Sequence, residues 1–139
     1  MFEPIGHVET THTDPARTPS QASESEGTAR VVVEERFVDG LLGLERYEYL
    51  WLLTWLHEHG DDPPLQLVPR ATEATGEVQG VFASRAPDRP NAIGLSLVRQ
   101  LGLHGNVVTV TGVDLLAHTP VLDIKPWFAD CDVPPPPGT

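Results

Sequence analysis

The chain has 139 residues, enough for one domain with a sizeable core. Its formal net charge is -11, which disfavours a general polyanion binder because non-specific nucleic-acid affinity comes from Lys and Arg that neutralise phosphates. The single cysteine, Cys131, excludes an internal disulfide framework. We find no apolar run of transmembrane length and no secretory signal at the N-terminus, so we expect a soluble cytoplasmic protein that does not bind a membrane.

The N-terminal part of the chain is predicted to form two strands separated by a long loop. Residues Phe2–Thr10 favour a short strand in which Gly6 allows a close approach of backbones. Residues Thr11–Thr28 are poor in apolar side chains and rich in Ser, Thr, Pro and Glu, which is typical of a loop. Residues Arg30–Phe37 contain the β-branched run of a strand. His7 and His12 do not form a ligand set, and we expect no metal site.

The most apolar passage is Gly40–His59. Within it, Leu41–Glu45 could form one helical turn, and Tyr47–His57 suits a strand buried on both faces because aromatic residues favour strands. One amphipathic helix across the whole passage is the alternative. Gly60–Pro64 ends the element in either case.

The second half of the chain is predicted to be a series of short strands. The candidates are Leu65–Arg70, Glu77–Phe82, Ile93–Leu103, Asn106–Val113 and Pro120–Ile124. His104-Gly105-Asn106 has the composition of a hairpin turn. The pattern indicates an all-β antiparallel barrel or sandwich of about seven strands with one or two short helices. We expect residues 1–132 to form this domain and residues 133–139 to form a Pro-rich tail.

The passage Gly80–Ser96 carries the residues best suited to binding. Pro87 and Pro90 exclude a regular strand or helix through its middle. The result is a rigid loop that presents Arg85 and Arg89, whose guanidinium groups suit a carboxylate or a phosphate. The alternative is a surface connection whose arginines pair with nearby Asp or Glu.

Three passages together resemble the TrmO (TsaA-like) family of S-adenosylmethionine-dependent methyltransferases. They are Gly80–Ser96, Gly112–Pro126 and, more weakly, Gly43–Trp51. The resemblance implies a small antiparallel β-barrel and a homodimer that binds S-adenosyl-L-methionine near the subunit interface. It also implies N6-methylation of threonylcarbamoyl-adenosine beside the tRNA anticodon.

The resemblance also assigns roles to residues, motif by motif. It implies cofactor contacts by Gln21, His57, Glu58, Arg85, Leu95, Ala117, His118, Thr119 and Pro120, and substrate contacts by Arg89, Asn91 and Lys125. Bracing of the loop is the favoured alternative for Arg89 and Asn91, and an ion pair with Asp123 is the alternative for Lys125. Placing donor and acceptor accounts for much of the rate of a methyl transfer, so a general base is optional. His57 and His118 are the candidates for one, each with a hydrogen-bonding loop histidine as the favoured alternative, and no catalytic residue is assigned.

The chain departs from the family pattern at several positions. Ala117-His118 stands where the family usually has Asp-Gly, Ala92 stands where a proline follows the signature asparagine, and Glu48-Tyr49 replaces a Ser-His pair. Three functions therefore remain open: a tRNA methyltransferase, a methyltransferase acting on a small metabolite, and a non-catalytic cofactor-binding module.

Overall fold

Six antiparallel strands close into a barrel in the order β1-β2-β7-β6-β3-β8 in the computed structural model, which describes residues 2–10, 27–56, 62–112 and 117–138. The barrel strands are β1 (Gly6–Glu9), β2 (Thr28–Val33), β3 (Tyr49–Trp55), β6 (Ile93–His104), β7 (Val107–Thr111) and β8 (Pro120–Pro126). A separate two-stranded sheet pairs β4 (Gln66–Leu67) with β5 (Gln79–Gly80). Helical structure in these ranges comprises α1 (Ala129–Asp132) and the 3-10 segments Glu35–Leu41, Leu44–Arg46, Arg70–Thr72 and Val81–Ala83.

The core fills the inside of the barrel with alternate residues of the strands. Because side chains alternate between the two faces of a strand, every second Val or Leu points inward and is buried. The largest of these side chains are Leu50, Leu52, Val8, Val31, Val33, Val98, Val108, Val110 and Val121. Each contributes about 1.5–3 kcal/mol by leaving water. Close pairing of β1 with β2 needs glycine at position 6, since a Cβ there would collide with the carbonyl oxygen of Val32.

The structure confirms the predicted all-β antiparallel barrel. The alternative of one amphipathic helix over Gly40–His59 is wrong, because Tyr49–Trp55 is a strand paired with both β6 and β8. This strand is not buried on both faces as predicted: its inner side chains are buried, while Tyr49 and Trp55 at its ends are exposed. A closed barrel has only one inner face, so the aromatic residues of the outer face stay at the surface of the single chain.

Several strand boundaries differ from the prediction, and the strand predicted over Glu77–Phe82 is limited to Gln79–Gly80, since a 3-10 segment begins at Val81. The strand predicted over Arg30–Phe37 ends at Val33, because a 3-10 segment begins at Glu35. The strand predicted over Leu65–Arg70 shrinks to Gln66–Leu67. The predicted hairpin turn is confirmed: Gly105, with φ of 60°, lies between β6 and β7. Across the ranges given above, no helix is long and apolar enough to cross a bilayer.

Candidate functional site at one end of the barrel

Most predicted site residues belong to one end of the barrel, here called the mouth. The mouth is defined by the last residues of three strands and the first residues of three others: Glu9, Trp55, Thr111, Thr28, Ile93 and Pro120. Antiparallel pairing places these ends side by side. The loop 84–92 leads into β6 at this end, and residues 117–119 lead into β8. Gln21, His57 and Glu58 lie outside the described residues.

The Arg89 side chain stabilises the loop 84–92 by hydrogen bonds to backbone groups of the same loop. Its Nη1 donates hydrogen bonds to the carbonyl oxygens of Ser84 and Ala86, both at 3.0 Å. The Ser84 hydroxyl donates to the carbonyl oxygen of Val81 at 2.9 Å, and the Ala86 N–H donates to the Ser84 Oγ at 3.3 Å. These bonds support the bracing interpretation of Arg89. They also fix the peptide groups on both sides of residue 85.

Arg85 is exposed, and its side chain makes no hydrogen bond or ion pair with any described residue. Of the nine Lys and Arg residues, all but Arg17 lie in the described ranges. Four of these eight contact carboxylates: Arg30, Arg36, Arg99 and Lys125. Arg89 bonds to carbonyl groups. Arg85 thus remains available for an anionic group, and the alternative that it pairs with a nearby Asp or Glu is not supported in these ranges.

The start of β6 packs tightly against β3. The Leu56 N–H donates to the Ala92 carbonyl at 2.8 Å, and the Ile93 N–H donates to the carbonyl oxygen of Asn91 at 2.8 Å. A Cβ at Gly94 would collide with the Thr54 Oγ1 and approach a Leu56 methyl carbon to 3.0 Å. Glycine is therefore required where the loop enters the barrel. Asn91 itself is exposed, with its backbone carbonyl engaged in the loop.

Residues 117–120 border the mouth on the side of β1 and β8. The His118 N–H donates to the Val8 carbonyl at 2.7 Å, and the Val8 N–H donates to the Thr119 carbonyl at 2.9 Å. Thr119 is buried, whereas the His118 side chain is exposed. His118 has a φ of 68°, in the left-handed region that glycine adopts freely. Ala117 and Pro120 are half-buried on either side of these two residues.

An apolar face covers the outside of β3 and β6 next to the mouth. In register, Trp51 pairs with Leu97, Leu53 with Leu95, and Trp55 with Ile93. Leu95 and Trp55 are 58% and 51% exposed. Lys125 lies on β8 at the border of this face, paired with Trp51 across the strands. Its Nζ is 3.4 Å from the Asp123 carboxylate, which supports the structural alternative for Lys125.

Several features of the mouth were not predicted from the sequence. The Thr54 hydroxyl is fully buried without a hydrogen-bond partner among the described residues. The requirement for glycine at position 94 follows from its register with Thr54, which no local pattern reveals. Ala117 and His118 were recognised in the sequence as departures from the family pattern. The positive φ of His118, which is unusual for a residue other than glycine, was not predicted.

The closed barrel, with its arginine-bearing loop at one end, defines a small all-β domain distinct from the doubly wound parallel-sheet folds. The profile of the tRNA-methyltransferase O N-terminal domain family matches residues 7–133. The chain belongs to this family, as its three signature passages predicted.

The similar proteins differ in length. The chain is 35% identical to the tRNA (adenine(37)-N6)-methyltransferase of Rattus norvegicus, covering 96% of this chain but only 32% of that protein. It is also 35% identical to a probable S-adenosyl-L-methionine-binding protein of Methanothermobacter thermautotrophicus, covering 94% of this chain and 92% of the relative. The crystal structure of TrmO from Pseudomonas aeruginosa superposes with a TM-score of 0.76 at 32% identity, over 95% of this chain and 57% of that one.

Proposed function

We propose that this protein is an S-adenosylmethionine-dependent methyltransferase that methylates N6 of threonylcarbamoyl-adenosine beside the tRNA anticodon, in the cytoplasm. The observation that carries the proposal is the braced loop that presents Arg85, which makes no ion pair with a described carboxylate, in a chain of net charge -11. Family membership and the names of the similar proteins support it.

The residues of the mouth fit the proposed cofactor. The exposed Arg85 suits the methionyl carboxylate, because a guanidinium can donate two parallel hydrogen bonds to it. The apolar side chains of Leu95 and Trp55 suit the adenosine part. The backbone of residues 117–120 suits the opposite side of the ligand. When bound, S-adenosylmethionine supplies a methyl group activated on a sulfonium.

We also propose that the apolar face on β3 and β6 is covered by a second copy of the chain. The face is a contiguous strip of Trp, Leu and Ile side chains, whereas the neighbouring β8 positions carry an ion pair. Large exposed apolar patches of this kind mark interaction surfaces. Since Leu95 lies both on this face and near the mouth, a dimer formed here would place the cofactor near the subunit interface.

A small-metabolite acceptor is the second candidate. It is favoured by the neutralisation of four of the eight described cationic side chains by carboxylates, which leaves few charges for contacts with phosphates. Under this alternative, the cofactor site and its Arg85 contact are the same, and only the acceptor differs.

Titration calorimetry with S-adenosylmethionine tests the cofactor site directly. We expect binding by the wild type, and Arg85→Ala should weaken it more than tenfold, the equivalent of about 1.5 kcal/mol for a charge-assisted hydrogen bond. Arg46→Ala is the matched control, since Arg46 is also exposed and unpaired within the described ranges. Lack of binding by the wild type would refute the cofactor assignment. Equal affinity of both variants would remove Arg85 from the site.

Methyl transfer from labelled cofactor tests the acceptor. The substrates are an anticodon stem-loop RNA that carries threonylcarbamoyl-adenosine and the same RNA with plain adenosine. We expect labelling of the first RNA only. Cofactor binding without labelling of either RNA would contradict the tRNA assignment and favour the small-metabolite acceptor.

A further inference from the structure

Four polar side chains lie together on the outer face of the barrel beside the mouth. His7 and Glu9 are alternate residues of β1 and share one face. Arg30 lies opposite Glu9 on β2, with its Nη2 at 3.2 Å from the Glu9 carboxylate. His118 lies on the other side of β1, two residues before the start of β8. We call these four residues the imidazole cluster.

The two histidine rings of the imidazole cluster lie near each other at the surface. Their centroids are 6.4 Å apart and their planes are tilted by 30°. His7 Nε2 is 3.4 Å from Glu9 Oε1, which orients its ring, and 41% of the His7 side chain remains exposed. The exposed ring of His118 makes no hydrogen bond with the described residues. No three acidic, Cys or His side chains in those residues converge on a metal site.

The backbone at His118 is unfavourable for the residue that it carries. Its φ of 68° is rare for residues other than glycine, although His, Asn and Asp adopt it more readily than most. The conformation is imposed by pairing with β1, since the His118 N–H donates to the Val8 carbonyl. A side chain kept where glycine would be less strained points to a function of that side chain.

We propose that the exposed ring of His118, backed by His7, stacks on a nucleobase of the acceptor RNA. This inference rests on the proposed tRNA function and adds to it a residue that contacts the acceptor. Unpaired bases in RNA loops commonly stack on aromatic side chains, including histidine.

Stacking also explains how an acidic chain can bind RNA. Arg30 is engaged by Glu9, so the imidazole cluster offers a planar surface rather than a free positive charge. A stacking residue contributes affinity without neutralising a phosphate. Its loss should therefore lower affinity at every salt concentration and leave the salt dependence of binding unchanged.

Fluorescence anisotropy with the modified anticodon stem-loop RNA tests the inference in His118→Asn and His118→Gly. Asn and Gly both tolerate the left-handed backbone, so these variants remove the ring and keep the loop conformation. We expect each to bind the RNA at least about fivefold more weakly, as for loss of one stacked base. The slope of log K against log salt should stay as in the wild type.

Other results would overturn the inference. Unchanged RNA affinity would make the cluster structural, and a loss confined to S-adenosylmethionine would place the ring in the cofactor pocket. A shallower salt slope would indicate a phosphate contact by a protonated imidazole. If the wild type methylates the RNA and both variants do so with the same KM, only this inference fails. If the wild type neither binds nor methylates the RNA, the proposed acceptor fails with it.

Discussion

The backbone at His118 can be tested separately from its ring by comparing His118→Gly with His118→Ala. Both variants lose the ring, so the difference between them reports the backbone. At an ordinary position, alanine is about 0.5–1 kcal/mol more stable than glycine because glycine loses more entropy on folding. A left-handed φ, such as the 68° of His118, costs an L-residue with a Cβ about 1–2 kcal/mol. We therefore expect the glycine variant to be about 0.5–1 kcal/mol more stable than the alanine variant.

Urea and thermal unfolding of the two variants measure this difference. For a chain of 139 residues, the expected difference in Tm is about 2–4 °C. Gly102→Ala in β6 is the reference, because its added Cβ would meet its nearest neighbour, the His104 Nε2, at 3.9 Å, and glycine should be the less stable residue there. An alanine variant at position 118 as stable as the glycine variant would refute the left-handed conformation.

Three further predictions concern the mouth and the apolar face. Gly94→Ala should cost about 1–3 kcal/mol in urea unfolding, because the new methyl group overlaps the buried Thr54 hydroxyl; no loss would contradict the close packing of β3 and β6. Arg89→Met should weaken S-adenosylmethionine binding in calorimetry by about tenfold, because the two hydrogen bonds to the loop carbonyls are lost. Arg89→Lys should restore part of the affinity. Wild-type affinity of the methionine variant would show that these two hydrogen bonds do not support cofactor binding. Leu95→Glu should convert a dimer into a monomer in light scattering, whereas Leu42→Glu, at a 94% exposed position outside the apolar face, should not; a Leu95→Glu dimer would place the interface elsewhere.

Strands and turns of the barrel were predictable because their signals are local. The Val and Thr run at 107–111 and the glycine in the turn at residue 105 depend on neighbours in sequence. The end of β2 was missed by several residues, since Phe37 suits a strand but Glu35 already begins a 3-10 segment. The outer face of β3 was misjudged because an apolar outer face of a barrel strand and a strand inside a core have similar compositions.

Contacts between distant strands were not predictable. The requirement for glycine at position 94 depends on the register that places it opposite Thr54, and the contact of His118 with His7 depends on closure of the barrel between β1 and β8. The family signature identified the loop that carries Arg85 and Arg89, and it favoured a bracing role for Arg89. The two hydrogen bonds from Arg89 to the loop carbonyls support that interpretation.

The pairing of the arginines in the loop 84–92 can be compared with that of the other arginines in this acidic chain. In a chain with 20 acidic residues and 9 Lys and Arg, three of the seven described arginines contact a carboxylate: Arg30, Arg36 and Arg99. Arg89 instead bonds to the carbonyl oxygens of Ser84 and Ala86, while Arg85 is exposed and pairs with no carboxylate among the described residues. The loop therefore presents a guanidinium group to solvent in a protein whose net charge of -11 disfavours anions elsewhere.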